Sequence, residues 1–236
     1  MPILGLSLLA ACAAPPVSDA DPYESANRKV HAFNQALDRG LIRPVARGIA
    51  PVARSPVGTA VTNVADNLSM PSIILNKILQ GKAEDAVHNT WRFALNTTLG
   101  IGGIFDPAGA MGLTEREADF GGTLHTWGAG EGGFIMLPVA GPSTERDALG
   151  LLVDTVTDPV GHVLPSREGR WATGINLGSK LVDRARFGDT VDSILHESAD
   201  SYAQTRLLYL QNRRFELGQE VADDAFIDPY ADPDGN

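Results

Sequence analysis

Helix start and stop signals recur through the first hundred residues of this chain, and they restrict it to a fold built mainly from short helices. Asp21 can cap a helix, Pro22 suits its first position, and Gly40 supplies a stop. Apolar residues between these signals recur every three or four positions, which is typical of an amphipathic helix. Strand-like alternation is scarce, so the sequence predicts an all-α fold.

Three further helices are predicted downstream. Ser55 and Pro56 begin the first, Pro71 to Gln80 forms the second before Gly81, and the third runs from about Lys82 to Leu99. No segment reaches the roughly eighteen consecutive apolar residues that a spanning helix needs. The chain is therefore not expected to cross a bilayer as a single hydrophobic helix.

The helix from Pro71 to Gln80 is the most apolar of these segments. Ten residues at about 1.5 Å each give about 15 Å, half of a hydrocarbon core about 30 Å thick, so it could occupy one leaflet but not two. Periodicity alone favours the alternative, an ordinary buried core helix. Its apolar residues are Ile73, Ile74, Leu75, Ile78 and Leu79.

Composition excludes some partners and permits a sizeable core. The 236 residues are 43% hydrophobic and 20% charged, which is enough apolar content to bury a core. The net charge of −10 argues against nucleic acid and against electrostatic adsorption to anionic headgroups. Further membrane contact is therefore expected to be hydrophobic.

The single cysteine, Cys12, follows an almost wholly apolar run and precedes an alanine- and proline-rich linker. The residues before it resemble the apolar half of a secretory signal, and the LAAC sequence from Leu9 to Cys12 resembles the lipobox of bacterial lipoproteins. No Lys or Arg precedes Cys12, so the recorded start is expected to be late or trimmed. A coincidental apolar N-terminus is the alternative. The favoured interpretation makes Cys12 a lipid-attachment site, and Ala13 after it favours export to the outer membrane.

These observations divide the chain into four predicted segments. Residues 1–11 form a signal-peptide remnant and 12–20 a lipidated tether, followed by a helical domain over 21–215. Acidic residues accumulate after Arg214 with no further Lys or Arg, so 216–236 is predicted to be a disordered acidic tail.

Signatures of enzymes, metals and cofactors are weak. Gly128, Gly130 and Gly133 match by count the G-x-G-x-x-G motif of dinucleotide- and phosphate-binding sites. Such a site needs a strand before the glycines and a helix after them. No strand precedes these glycines, and Phe134 to Pro138 is expected to be extended, so the sequence argues against the site. The five histidines lack metal-ligand spacing, and there is no G-x-S-x-G or H-E-x-x-H. We expect no catalytic residues, no metal and no cofactor.

Five blocks of sequence, taken in order, resemble the MlaA (VacJ) family of outer-membrane lipoproteins. The resemblance runs from Asp21 to about Arg214, and Cys12 at its head fits the same family. The blocks are DPYESANRKVHAFNQALD, VADNLSMPSIILNKILQG, RFALNTTLGIGGIFDPAG, DFGGTLHTWGAGEGGFIMLPVAGPSTERDALG and DSYAQTRLLYLQNRR.

The resemblance implies a ring of amphipathic helices around a central polar channel, lying in the inner leaflet of the outer membrane. It also implies retrograde phospholipid transport that keeps the outer leaflet free of misplaced phospholipid. The implied partners are phospholipids, a trimeric porin and a soluble periplasmic lipid carrier. A one-leaflet helix over Ile73 to Leu79 is what such a ring requires.

The same blocks suggest residues that shape or hinge the channel wall, although helix packing or turn geometry explains each equally well. They are Asn96, Gly100, Gly102, Gly103, Gly121, Gly122, Trp127 and Gly128.

Two other classes of function compete with transport. One is a structural envelope lipoprotein that organises porins without conducting lipid. The other is a lipid-modifying enzyme, which should release fatty acid or lysolipid from labelled phospholipid.

Overall fold

The computed structural model describes residues 21–160 and 166–219 and is mainly helical, which confirms the predicted fold class. Two π-helical turns, Asp38–Ile42 and Ser193–Glu197, interrupt the helices. Cys12, the proposed tether and the residues after 219 lie outside the described residues. The helices are α1 Glu24–Leu37, α2 Arg43–Ala53, α3 Pro56–Leu79, α4 Ala83–Thr98, α5 Pro107–Ala110, α6 Phe120–Thr126, α7 Glu145–Thr157, α8 Ser166–Arg186, α9 Gly188–Asp192 and α10 Ser201–Glu216.

One short antiparallel hairpin accompanies the helices: β1 Phe134–Leu137 pairs with β2 Gly141–Thr144. The extended conformation predicted after Gly133 is therefore confirmed. Two asparagines of α1 hold β1 by its backbone. Asn27 Nδ2 donates to the Phe134 carbonyl at 2.9 Å, and Asn34 Nδ2 donates to the Leu137 carbonyl at 2.9 Å. Because these asparagines are seven residues apart, they lie on one face of α1 and can bind a strand that runs along it.

The predicted stop at Gly40 is wrong. The chain passes through the π-helical turn Asp38–Ile42 and continues as α2. Asp38 is buried in this turn, where it pairs with Arg184 at 2.8 Å and with His196 at 2.8 Å. Since an unpaired buried carboxylate would be costly, these distant partners stabilise the continuous, widened helix that a local glycine signal could not predict.

The two predicted helices on either side of Pro71 form one helix. Ser55 caps α3 as expected, since its side chain accepts a hydrogen bond from Val57 N at 3.2 Å. Pro71 lies inside α3, where proline costs about 3 kcal/mol or more because it removes a hydrogen bond. Packing of α3 against both α4 and α8 offsets that cost.

Contacts between elements close into a cycle. Followed from α1, neighbours pack in the order α1, the turn Asp38–Ile42, α2, α8, α3, α6, α7, β1 and back to α1. Elements that are distant in sequence thus meet in one closed series, and α4 packs against α3.

The distribution of polar and apolar side chains is inverted relative to a water-soluble protein. In the described part of the chain, the exposed large hydrophobic side chains outnumber the buried hydrophobic ones, and many buried side chains are polar or charged. None of the helices described combines the length and the apolar character needed to cross a membrane. Exposed apolar surface on this scale marks an interface with lipid or protein.

Candidate functional site

Helix α4 shows how the sequence produces an apolar outside and a polar inside. Asn89, Arg92 and Asn96 recur at three- and four-residue spacing and are buried. Val87 and Trp91 lie on the other face, and the Trp91 side chain is 62% exposed. The amphipathic pattern predicted for this segment is confirmed, but its apolar side faces outward.

Three cavities lie on the polar side of the helices. The first, which we name the α6 cavity, has a volume of about 600 Å³ and carries side chains of both charges. A compartment of this size lies within the range of about 300–1,000 Å³ that is typical of ligand sites. Its lining includes Lys77, Gln80, Lys82, Glu115, Glu117, Asp119, Gly122, His125 and Arg213.

The second cavity, the α7 cavity, has a volume of about 240 Å³ and is organised by Arg213. This guanidinium pairs with Asp119 at 2.7 Å and with Asp147 at 3.0 Å, which ties α10 to α6 and α7. Burial would raise the pKa of Asp147, but hydrogen bonds and charge from Arg213 outweigh burial and hold that pKa below its usual value. The ion pairs therefore fix the wall shared by the first two cavities.

The third cavity, the α8 cavity, has a volume of about 440 Å³ and lies between α3, α7 and α8. Ser69, Ser72 and Thr173 line it together with Asp154.

The three cavities adjoin one another. The α6 and α7 cavities share Asp119 and Arg213, and the α7 and α8 cavities share Leu151 and Asp154. Ala118 lines both the α6 and the α8 cavity. The interior of the ring is thus a series of neighbouring polar compartments.

A buried hydrogen-bond network sets the shape of this series. Asn76 Nδ2 on α3 donates to Asp154 Oδ1 at 2.9 Å, and Thr123 Oγ1 on α6 donates to Asn76 Oδ1 at 2.9 Å. Asp154 Oδ2 accepts the backbone N–H of Phe120 at 2.9 Å. Three helices from distant parts of the chain are joined at one point, so the compartments have fixed walls.

Two carboxyl groups remain in contact with water although the surrounding protein partly desolvates them. Asp66 is exposed to water, yet the surrounding protein desolvates it and the charge of Asp183 adds to the effect, so its pKa is raised. Desolvation, followed by the charge of Asp66, raises the pKa of Glu115 to about 7. Of the two, Glu115 lines the α6 cavity, so a carboxyl group with a raised pKa stands in its wall.

His125 lies in the wall of the α6 cavity. Desolvation and the nearby charges of Arg146 and Arg213 lower its pKa. Near neutral pH its imidazole is therefore uncharged, and the positive charge of this wall comes from Lys77, Lys82 and Arg213.

Four of the predicted channel residues lie in or after α6. Gly121 lines the α7 cavity and Gly122 the α6 cavity. Trp127 is exposed and donates from Nε1 to the Leu79 carbonyl at 3.0 Å, which joins the ends of α6 and α3. Gly128 follows with φ of 93°, a left-handed conformation that favours glycine.

The other four predicted channel residues lie at the end of α4. Asn96 is buried and donates from Nδ2 to Asp106 Oδ1 at 2.8 Å, which holds the loop after α4. At Gly100 a Cβ would clash with the Asn96 carbonyl, and Gly103 packs against the Asn67 side chain. Gly102 has φ of 70°. These four residues therefore have contacts and backbone angles that helix packing and turn geometry explain. That explanation was the stated alternative to a role in shaping or hinging the channel wall.

The apolar residues predicted to face the membrane divide between two sides of α3. Leu75, Ile78 and Leu79 are exposed, Ile74 is half-buried, and Ile73 is buried at the α8 cavity. Four of the five are thus placed where they can meet lipid.

Sequence reasoning did not identify Asn76 or Asp154 as determinants of the interior. The signal was present in α3, where Asn76 and Gln80 interrupt the most apolar segment at helical spacing. Polar residues inside a run of Ile and Leu mark the face that avoids lipid.

One cluster of metal-ligand types lies outside the cavities. Oxygen or nitrogen atoms of Asp38, Asp192 and His196 lie within 4.8 Å of one another. Arg184 bridges the two carboxylates, at 2.8 Å from Asp38 and 2.6 Å from Asp192. The cluster therefore contains its own cation and joins the two π-helical turns.

Comparison with known proteins gives a consistent result. A family model described as MlaA lipoprotein matches residues 19–216. The intermembrane phospholipid transport system lipoprotein MlaA of Escherichia coli K12 is 31% identical over 239 residues, covering 98% of this chain and 90% of that protein. A protein of Rickettsia bellii without an assigned function is 34% identical over 199 residues, covering 82% and 75%. A solved structure described as the basis for maintenance of bacterial outer membrane lipid asymmetry superposes with a TM-score of 0.70 at 32% identity, covering 84% of this chain and 99% of that one.

Proposed function

This chain belongs to the MlaA lipoprotein family, and on that premise we propose that it removes misplaced phospholipids from the outer leaflet of the outer membrane and passes them to a periplasmic carrier. The observation that carries the proposal is the series of adjoining cavities, lined by charged and hydrogen-bonding side chains, between helices that also expose large apolar side chains.

The inverted architecture supplies what phospholipid movement needs. A charged or zwitterionic headgroup that enters hydrocarbon loses its hydration, which is costly for any unpaired charge. Polar side chains of both signs in the α6 cavity offer replacement partners, including Lys82, Arg213 and Glu115. The headgroup can follow the polar interior while its acyl chains stay outside among apolar side chains.

The position in one leaflet follows from the length of the apolar surface. The C-terminal part of α3 exposes Leu75, Ile78 and Leu79 over only about one and a half turns. We propose that this surface lies in the inner leaflet. Access from the outer leaflet is then open, so direction comes from geometry and from the downstream carrier.

Attachment and partners complete the proposal. Cys12 carries the lipid anchor on the periplasmic side of the outer membrane, and two or more acyl chains there give stable anchoring. A trimeric porin holds the ring in place, and a soluble carrier receives the lipid. Transport by this route involves no covalent change in the lipid, so the protein is not an enzyme.

The experiment separates conduction from a structural role in the envelope. Gly122 faces the α6 cavity, and a Cβ there would lie 3.4 Å from Asp119 Oδ1 and 3.5 Å from Gln80 Nε2. The variant Gly122→Trp fills the cavity with an indole. In a deletion strain of the native host, it should leave phosphatidylethanolamine exposed to an amine-reactive label on intact cells, although it still co-purifies with the porin.

The matched control is Gly48→Trp, because Gly48 is exposed on α2 and a Cβ added there would meet no other atom within 4 Å. This control should clear the outer leaflet as well as the wild type does. If Gly122→Trp also restores clearance fully, lipid does not pass through the α6 cavity and the structural role is favoured.

A further inference from the structure

An apolar groove adjoins the polar interior on the far side of α3. It has a volume of about 390 Å³ and lies between α3, α4 and the residues that follow α7. Its walls are far less polar than those of the three cavities. The groove is lined by Asn67, Leu68, Pro71, Phe93, Thr97, Gly102, Pro159 and Val160.

The groove and the α8 cavity meet at two side chains. Leu68 and Val160 line both spaces. Ser69 and Thr173 line the cavity side, whereas Phe93 lines the groove side. A polar and an apolar compartment are therefore separated by a thin apolar partition.

The floor of the groove is held in place by α3 and α4. Asn67 is buried and donates from Nδ2 to Thr97 Oγ1 at 3.1 Å. This bond satisfies both polar side chains, so the groove presents apolar surface without an unpaired polar group. The groove is therefore preformed between two packed helices.

We propose that this groove binds one acyl chain of a phospholipid whose headgroup lies in the α8 cavity. The class of ligand, a phospholipid, comes from the proposed function, and the inference rests on that function to this extent. What the inference adds is the place where the lipid is bound. A phospholipid matches the site because its polar and apolar parts are joined at one point, as the two compartments are joined at Leu68 and Val160. A protein partner would contact the groove alone and leave the polar compartment beside it unused.

The arrangement also assigns a role to the partition. Val160 and Leu68 lie where the glycerol backbone of the bound lipid crosses from one compartment to the other. Their apolar surface lets the chain remain in an apolar environment while the headgroup meets the polar side chains of the α8 cavity, including the carboxylates of Asp154 and Asp158, which can bind a headgroup amine. Larger side chains at these positions would close the passage.

Photocrosslinking of the full-length protein in lipid nanodiscs tests the proposal. One phosphatidylethanolamine probe carries a diazirine at the end of an acyl chain, and a second carries it on the headgroup. Peptide mass spectrometry should place acyl crosslinks at the α4 segment that contains Phe93 and headgroup crosslinks at the α8 segment that contains Thr173. Val160→Trp should abolish the acyl crosslinks at the groove.

Val156→Trp is the matched control, since Val156 is 70% exposed on α7 and is not part of the groove lining. It should leave both crosslinking patterns as in the wild type. Circular dichroism melts check that both variants fold, and Leu68→Trp provides a second way to close the partition.

The outcomes distinguish the inference from the function on which it rests. Acyl crosslinks spread over the exposed face of α4, and unaffected by Val160→Trp or Leu68→Trp, would overturn the groove as a binding site. Headgroup crosslinks in the α8 cavity would in that case still support transport. Failure of the wild type to take either probe into its interior would contradict the proposed function itself.

Discussion

At the scale of single residues, the interior is unusual because it keeps ionisable groups in water while protein surrounds them. Glu115 and Asp66 both have raised pKa values, and desolvation is the main cause for each. For Glu115 the negative charge of Asp66 adds to the effect, because two like charges disfavour ionisation of either group. The charge of Glu115 in the wall of the α6 cavity therefore changes near neutral pH.

Glu115 gives a pH-dependent stability that can be measured. Its pKa rises from an ordinary 4.5 to about 7 in the folded chain, so the folded state binds a proton that the unfolded state has lost in this interval. Stability therefore decreases as pH rises from about 4.5 to about 7. Denaturant unfolding should show Glu115→Gln to be more stable than the wild type above this interval, with the advantage disappearing below it.

Glu84→Gln is the control for loss of one carboxylate, because the Glu84 side chain is 88% exposed. It should leave the pH dependence of unfolding unchanged. The same pH dependence in wild type and Glu115→Gln would show that Glu115 is not enclosed.

At the scale of elements, α6 and α7 approach each other through glycine. A Cβ on Gly150 would overlap the backbone nitrogen of Gly121, and a Cβ on Gly121 would overlap the Asp147 carboxylate. The two helices are thus in backbone contact at this point. The neighbouring Gly122 faces the α6 cavity and has no such overlap.

Adjacent glycines should consequently respond in opposite ways to the same substitution. Gly121→Ala should destabilise the protein by about 1–3 kcal/mol, because overpacking displaces Asp147 or α7. Gly122→Ala should be neutral or stabilise by up to about 1 kcal/mol, because alanine is the better helix former. Chemical denaturation of both variants measures the difference, and equal effects would contradict the backbone contact between α6 and α7.

Sequence analysis predicted the elements whose determinants are local. Ser55 caps α3 through its own side chain, and the acidic residues Glu84 and Asp85 lie in the first turn of α4. The continuation through Gly40 could not be predicted, because it depends on Arg184, which is 146 residues from Asp38 in the sequence. A local signal was overridden by a buried ion pair.

The interior of the site was predictable only in part for the same reason. Gly121 and Gly122 were identified by family resemblance, and they lie in cavity walls. The network that shapes those walls joins Asn76 to Asp154 across 78 residues, and no periodicity within either helix shows that pairing. Amphipathic helices were correctly predicted, but periodicity does not state whether the apolar face is buried or meets lipid.

At the scale of the whole molecule, the closed series of contacts between elements goes together with an unusual distribution of side chains, in which many polar ones are buried and many large apolar ones are exposed. Contacts run in a closed series from α1 through α8, α3 and α7 back to α1, the cavities lie among α3, α6, α7, α8 and α10, and many large apolar side chains are exposed. Water-soluble folds place these two kinds of surface the other way round. Hydrocarbon around the ring and water within it satisfy both surfaces.

The fluorescence of Trp91 tests this account most directly. In full-length protein with Trp127→Phe and Trp171→Phe, Trp91 is the remaining tryptophan, and it lies on the exposed apolar face of α4. Reconstitution into vesicles of phospholipid brominated on the acyl chains should quench it strongly relative to unbrominated vesicles, while aqueous iodide should quench it little. Strong quenching by iodide with no effect of bromination would show that this face meets water, and the proposed membrane-embedded ring would be wrong.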